Sequence, residues 1–477
     1  MKQSELKNQK VLLIGLGILK GGLSTALWLL KQKTQLTITD LKSQAALAPS
    51  IKPLKKHYSQ IKFVLGQNRQ SDILKNDLII LNQAVPVLNN PLIQFANNHH
   101  KKVIKELELF LDNIEAPLIG ITGTRGKTTT TLWTHHLLKA KFPQAQVGGN
   151  NPDYPLFAFI NKIKESQPVV LEIPCFQLEL PPHQAPHIAL ITNLYTDHLN
   201  RYKTLKQYAK IKANLFRFQT KNDYLILNYD NSWTKYFLSL KPKSQVYFTS
   251  LKKLPQNKNG VFLLKDFVIY QNNQKQEKVF QAKTFIESWG LHNLDNLLRA
   301  ILVAKIFKLS NKQIIKQIKT LPQVKMREEI IFQNKSLTIV NDSAGTSPEA
   351  AEQVLTRFPS KNLILITGGT DKNLDFASLA QRINRTLPPK NLILLNGSAT
   401  KKLIQNLNRL NYSRIYNVFE NLEECFAYGL SLAKNKSQSY LVFSPGAASF
   451  EKFKNEFDRG NKFNQIVKKY LKLKTEV

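Results

Sequence analysis

The chain has 477 residues, 42% of them hydrophobic, with a formal net charge of +35. That length gives room for about three domains of ~150 residues, and the apolar fraction is enough for real cores. The lysines are spread along the whole chain, with no arginine-rich or aromatic-interleaved stripe, so we expect a solvated surface that favours phosphate-bearing substrates and no nucleic-acid partner.

Two cysteines, Cys175 and Cys425, give neither a disulfide framework nor a metal set, which fits a reducing cytoplasm. Residues 11–30 have the length of a signal anchor. Lys20 and several glycines interrupt them and no small-residue cleavage site is evident, so a soluble cytoplasmic chain without a membrane segment is expected.

Residues 1–112 read as an α/β unit. Residues 10–15 form a buried strand, Gly15-Leu16-Gly17 turns it, and Gly21-Gly22 precede an apolar helix to Leu30. Residues 35–40 form the next strand and end in Asp40, completing the outline of a nucleotide-binding βαβ unit. Gly21 falls one residue late for the dinucleotide fingerprint, which favours a sugar nucleotide over NAD. A third strand spans 77–81, and residues 102–110 lead into the next domain.

Residues 113–322 begin with a strand, 118–121, that runs into Gly123-Thr124-Arg125-Gly126-Lys127-Thr128-Thr129 and then a helix. Strand, glycine-rich turn and helix form the setting of a phosphate-binding loop. Backbone N–H groups approach the phosphates, Lys127 reaches the β- and γ-phosphates, and the Thr128 hydroxyl holds Mg²⁺. The position five before Gly126 is Ile121, where the full consensus has glycine.

Strands at 168–172 and 187–193 follow, the first ending in Glu172 and the second leading to Asp197-His198. Parallel strands present their C-terminal ends to a ligand, so Glu172 and His198 can converge near the phosphates, and both suit Mg²⁺. The plainer readings, a strand-end surface acid and a packing histidine, stay open on spacing alone. Residues 208–216 form a helix whose lysines are solvated by default. Strands at 223–228 and 260–264 follow. Residues 251–283 read as exposed hairpins, and His292-Asn293 opens a helix.

Residues 323–477 form a third α/β unit with strands at 337–342, 362–367, 391–395 and 439–443. Each ends in a loop of small or polar residues.

These loops, in this order, resemble the Mur ligase family. The residues that carry the resemblance are Gly123 through Thr130, Glu172 with Phe176-Gln177-Leu178-Glu179, Thr192-Asn193 with Asp197-His198, and Gly290-Leu291-His292-Asn293. The set continues with Asn341-Asp342-Ser343, Gly368-Gly369 with Asp371-Lys372, and Ser444-Pro445 with Ala448-Ser449-Phe450, Phe453, Asn455 and Arg459-Gly460. The similarity runs from Gly15 to the C-terminal helix. Asn341-Asp342-Ser343 and the last block favour the family member that adds D-glutamate.

The resemblance implies an α/β fold in three domains. These are a Rossmann-like domain for the UDP-sugar (1–112), a P-loop ATPase-type domain with a mostly parallel sheet (113–322), and a Rossmann-like domain for the incoming amino acid (323–477). It implies an ATP-dependent amide ligase of peptidoglycan synthesis that takes UDP-N-acetylmuramoyl-L-alanine and D-glutamate as a monomer. Lys127 with Gly123, Thr124, Arg125, Gly126, Thr128 and Thr129 would bind the phosphates, and Asn293, Arg327 and Asp342 would make further ATP contacts. Thr128 and Glu172 would hold one Mg²⁺ and His198 a second, helped by a lysine carboxylated by CO₂. Counting from Tyr208, Lys212 takes that place, with Lys210 the competitor. Asp40, Asn150, Thr346 and Ser449 match substrate contacts. A hinge is expected near Leu321-Pro322.

Several positions depart from the family pattern. Asn82-Gln83-Ala84 replaces Ser-Pro-Gly, Pro174-Cys175 replaces Ser-Ser, and Asn150-Asn151-Pro152 replaces Asn-Ile-Gly. Met326 replaces a histidine, and Ala344 stands where a lysine often binds the amino-acid carboxylate. Ala344 keeps a different acceptor in view, such as meso-diaminopimelate, L-alanine or a folate-type polyglutamate.

Overall fold

The computed structural model describes residues 1–199, 201–358, 362–413, 415–434 and 438–471. Three sheets carry the chain. The first holds β1 (Lys10–Ile14), β2 (Gln35–Asp40), β3 (Ile61–Leu65), β4 (Leu78–Leu81) and β5 (Lys102–Lys105), all parallel, in the order β3-β2-β1-β4-β5. The central strands are apolar at nearly every position because helices cover both faces, as parallel sheets require.

The second sheet holds β6 (Leu118–Thr122), β7 (Gln146–Gly149), β8 (Val169–Glu172), β9 (Ile188–Ile191), β10 (Tyr224–Asn228), β11 (Gln245–Ser250), β12 (Gly260–Leu264), β13 (Phe267–Asn272) and β14 (Lys275–Gln281). Its order is β14-β13-β12-β11-β10-β9-β6-β8-β7, parallel except for the β12–β13–β14 meander. β6 lies between β8 and β9, which puts the ends of all three strands at one place.

The third sheet holds β15 (Glu329–Gln333), β16 (Leu337–Asn341), β17 (Leu363–Thr367), β18 (Leu392–Leu395), β19 (Asn417–Phe419) and β20 (Ser439–Phe443), in the order β15-β16-β20-β17-β18-β19 with β15 antiparallel. Among the described residues, no helix is long and apolar enough to cross a membrane.

The chain divides into two compact units. One is 1–283 with 294–321, and the other is 284–293 with 322–477. The first unit joins the first two sheets through one continuous apolar core. Trp28 packs on Phe157 at 4.8 Å between ring centroids, and Phe110 packs edge-on against Phe157 at 5.6 Å. Burying side chains of this size contributes roughly 1.5–3 kcal/mol each. The second unit has its own cores on the two faces of its sheet.

Candidate active site

The loop after β6 is shaped by two glycines. Gly123 has φ +147°, and a Cβ there would sit 1.9 Å from Thr192 Oγ1; Gly126 has φ +76°, and a Cβ would sit 2.2 Å from Asn296 Oδ1. The end of β9 pins the turn. The Thr124 N–H donates to the Asn193 carbonyl (3.0 Å), the Arg125 N–H to Asn193 Oδ1 (2.9 Å), and the Thr192 hydroxyl to the Arg125 carbonyl (2.6 Å). The Arg125 guanidinium lies over the Tyr195 ring at 4.8 Å.

Lys127 opens the helix Lys127–Leu138, followed by Thr128 and the buried Thr129. Lys127 Nζ donates to the Thr124 carbonyl at 3.1 Å, so its ammonium folds back over the loop. The first turn of a helix leaves N–H groups without intrahelical acceptors and carries partial positive charge, a ready anion site. Ile121, where the full consensus has glycine, is a ladder residue of β6 paired with Glu172 and Leu190. The strand runs on to Thr122, and the loop is correspondingly short.

Glu172 ends β8 and is buried, and its carbonyl accepts the Asn150 N–H at 3.0 Å. His198 lies in the loop after β9. Its φ of +54° is left-handed, which is uncommon for histidine. Its ring meets Phe176 edge-on at 4.9 Å, and its N–H donates to Asp197 Oδ1 at 2.9 Å.

The helix Leu205–Ala213 begins three residues before the expected 208 because the Thr204 hydroxyl caps it, accepting from the Gln207 N–H. That helix turns Lys212 inward and Lys210 outward. Lys212 is 1% exposed, its Nζ donates to the Gly123 carbonyl at 2.9 Å, and it lies 4.4 Å from the Tyr208 ring centroid. Burial pulls its ammonium down to about 7, and the neighbouring Lys127 adds to that effect. Among the described residues, no group of three or more His, Cys, Asp or Glu side chains could hold a metal on its own.

Asp40 is more occupied than a free nucleotide-gripping acid. One carboxylate oxygen accepts the Gly17 N–H (2.9 Å) and the other the Lys42 N–H (2.9 Å), so it shapes the turn after β1. The exposed Asn150 accepts from Gln83 Nε2 at 2.8 Å.

In the second unit, Asn293 Nδ2 donates to the Trp289 carbonyl at 2.9 Å. Asp342 is buried. It accepts from the Ser444 hydroxyl (2.6 Å) and the Glu328 N–H (3.1 Å). Burial pushes its carboxyl up to about 7, and nearby Glu328 adds to the rise. Arg327 is exposed next to Glu328. Glu328 in turn accepts from Arg357 (2.7 Å) and pairs with His292 (3.0 Å). The loops that carry Thr346 and Ser449 are joined by the Gly446 N–H to the Gly345 carbonyl at 3.1 Å. The buried Arg459 guanidinium donates to the carbonyls of Ser343, Ala447 and Ala448, so it fixes both loops.

Sequence reasoning gave no role to several of these residues. Asn296 packs on Gly126 and accepts from Arg299 Nη1 at 3.2 Å, and Arg299 reaches the Thr192 carbonyl at 3.0 Å. The signal for Asn296 was its position one helical turn after Asn293.

Residues 121–304 match the Mur ligase middle domain, and residues 9–105 match the Mur ligase MurD-like, N-terminal domain. A protein of Borreliella afzelii (strain PKo) named UDP-N-acetylmuramoylalanine--D-glutamate ligase is 33% identical, covering 98% of this chain and 99% of its own. The chain belongs to the Mur ligase family. A relative of the same name from Roseiflexus sp. (strain RS-1) is 32% identical over 98% of this Mur ligase and 100% of its own length. Among solved structures, the UDP-N-acetylmuramate-alanine ligase of Thermotoga maritima aligns over 98% of this chain and 100% of its own, with TM-score 0.59 and 18% identity. The MurF ligase of Thermotoga maritima in complex with ADP aligns over 98% and 96%, with TM-score 0.57 and 16% identity. These two likenesses establish the shared three-domain α/β fold.

Proposed function

We propose that this Mur ligase adds D-glutamate to UDP-N-acetylmuramoyl-L-alanine, converting ATP to ADP and phosphate, in peptidoglycan precursor synthesis. The observation that carries this reading is the likeness, over nearly the full length of both chains, to relatives named for that reaction. The chemistry suits the residues. A carboxylate is a poor electrophile, so the γ-phosphoryl group moves to the L-alanyl carboxylate and gives an acyl phosphate. The D-glutamate amine attacks its carbonyl, loses a proton, and phosphate leaves. Catalysis of this kind rests on positioning and charge neutralisation.

In this reading Lys127 and the N–H groups of residues 123–129 bind the transferring phosphoryl group. Thr128 and Glu172 would hold one Mg²⁺, and His198 and a carboxylated Lys212 would hold a second. Mg²⁺ would neutralise the phosphate and carboxylate charges. Mg²⁺ sites commonly use only one or two protein carboxylates beside substrate phosphates, which agrees with the sparse acids here. The donor set fits on one further ground. A buried lysine held down to about 7 carries a share of neutral amine, the form that reacts with CO₂, and the product is an oxygen donor in place of a cation. Asn293, Arg327 and Asp342 are assigned to further ATP contacts, Asn150 and Asp40 to the nucleotide-sugar, and Thr346 and Ser449 to the amino acid. Ala344 is buried and offers no charge, so we assign the cation that meets the D-glutamate carboxylate to Lys372. The enzyme is assigned as a monomer of the cytoplasm.

A heavy-oxygen label in the L-alanyl carboxylate tests the reaction. One labelled oxygen should appear in the released phosphate. Phosphate without the label would reject the acyl-phosphate route.

A further inference from the structure

Glu179 has no part in the chemistry above, yet three loops meet on its carboxylate. It follows the short helical turn Cys175–Leu178, and its side chain is 0% exposed. Oε1 accepts from Arg201 Nε (2.6 Å) and the Tyr202 hydroxyl (2.9 Å). Oε2 accepts from Arg201 Nη2 (2.7 Å) and the Val87 N–H (3.0 Å), with Lys105 Nζ at 3.7 Å. Burial alone would raise this carboxyl; the Arg201 guanidinium and the Lys105 ammonium hold it below its usual range.

The partners lead in two directions. One is the loop after β4, residues 82–87. Lys105 Nζ donates to the Val85 carbonyl (2.6 Å), and the Arg201 guanidinium donates to the carbonyls of Ala84 and Val85 (3.3 Å each). This loop carries Gln83, whose Nε2 reaches Asn150 and whose Oε1 is buried without a hydrogen-bond partner. Gln83 and Asn150 are thereby held side by side at the ends of β4 and β7. The other direction is the histidine loop. The N–H groups of Arg201 and Tyr202 both donate to the His198 carbonyl at 2.9 Å. His198 sits at its left-handed φ because this turn holds it there; such a conformation costs about 1–3 kcal/mol and persists only where surroundings enforce it.

We infer that Glu179 is a positioning residue that ties the loop receiving the nucleotide-sugar, residues 82–87, to the turn that aims His198, so that the sugar-borne carboxylate is presented in register with the phosphate loop. This inference rests on the ligase reading above. A carboxylate that only stabilised the fold would affect all three substrates alike. A carboxylate that sets register acts selectively on the nucleotide-sugar and on kcat.

The experiment uses Glu179→Gln, which keeps the shape but replaces one acceptor by a donor, and Arg201→Met, which keeps a stem against Phe176 and removes the guanidinium donors. Equilibrium binding of UDP-N-acetylmuramoyl-L-alanine is measured without turnover, beside three-substrate kinetics and melting temperature. Each variant should bind the nucleotide-sugar about 10-fold more weakly and lose about 10-fold or more in kcat, the scale typical of groups that orient functional side chains. KM for ATP should stay within about twofold, and the double variant should be no worse than the poorer single one. Unchanged nucleotide-sugar binding, or equal rises in all three KM values with a lower melting temperature, would overturn the inference. If Glu179→Gln fails to fold, Arg201→Met decides alone. Failure of the ligase reading would show in the wild type as absent turnover, whereas failure of the inference shows only in the variants.

Discussion

Lys212 is the residue whose removal should separate stability from activity. Its ordinary value of 10.5 falls to about 7 in the folded chain, with burial as the main cause. Between those values the unfolded chain binds a proton that the folded chain does not. Stability therefore rises as pH goes from about 7 to about 10.5, and the burden is greatest at neutral pH and below. The interval corresponds to about 5 kcal/mol, at about 1.36 kcal/mol per pH unit. Lys212→Met removes that burden but also leaves the Gly123 carbonyl without its donor, a loss of about 1–3 kcal/mol. The net expectation at neutral pH is a gain of about 2 kcal/mol or more, together with nearly abolished ligation. The assay is chemical denaturation across pH 6.5 to 10 in carbon-dioxide-free buffer, following the transition of the unit that contains the first two sheets. The wild-type midpoint should climb with pH and the variant should be flatter. Added bicarbonate should raise only the wild-type midpoint, and acetate or formate should partly restore turnover to Lys212→Ala, whose truncated side chain leaves room for the anion. A variant less stable than wild type at neutral pH, with an unchanged pH slope, would show that burying the Lys212 ammonium carries no such cost.

Three further outcomes follow from the geometry. Lys127→Ala should lower kcat by about 10²–10³-fold, as loss of one charge-stabilising donor does, with the fold intact by circular dichroism; a near-normal kcat would contradict the role. Gly126→Ala should weaken ATP binding measurably by calorimetry, because a left-handed alanine costs about 1–2 kcal/mol and its Cβ would meet Asn296 Oδ1 at 2.2 Å. Glu328→Ala should destabilise the second unit by about 3–5 kcal/mol in denaturation, since it strips the partner from the buried Arg357 and from His292; a loss below about 1 kcal/mol would show those cations re-solvate freely.

Strands covered on both faces were the plainest in the sequence, although the interior β11 escaped because Gln245, Thr249 and Ser250 shorten its apolar run. Residues 363–367 and 188–191 are continuous apolar runs because helices lie above and below them. β3, β7 and β19 gave no such signal. β3 fully buries only Ile61 and Val64, β7 contains Gly148-Gly149, and β19 is a three-residue edge strand. Each lies at a sheet margin, where one side has no neighbour to bury against. The phosphate loop was legible because glycines, a lysine and a hydroxyl must follow a strand in fixed order. Residue spacing alone could not decide between Lys210 and Lys212, since the choice depends on which face of one helix is buried. The two backbone N–H groups that Asp40 accepts from are not displayed by a sequence. The Glu179 cluster was equally hidden, its partners being drawn from three separate stretches of chain.

The amino acid that this ligase adds is read from an amino-acid panel with purified protein, ATP, Mg²⁺ and UDP-N-acetylmuramoyl-L-alanine, following phosphate release and the mass of the nucleotide product. Release is expected with D-glutamate, with product carrying one added glutamyl residue, and little or none when either co-substrate is omitted. Strong turnover with meso-diaminopimelate, L-alanine or a folate-type acceptor system and none with D-glutamate would contradict the D-glutamate assignment.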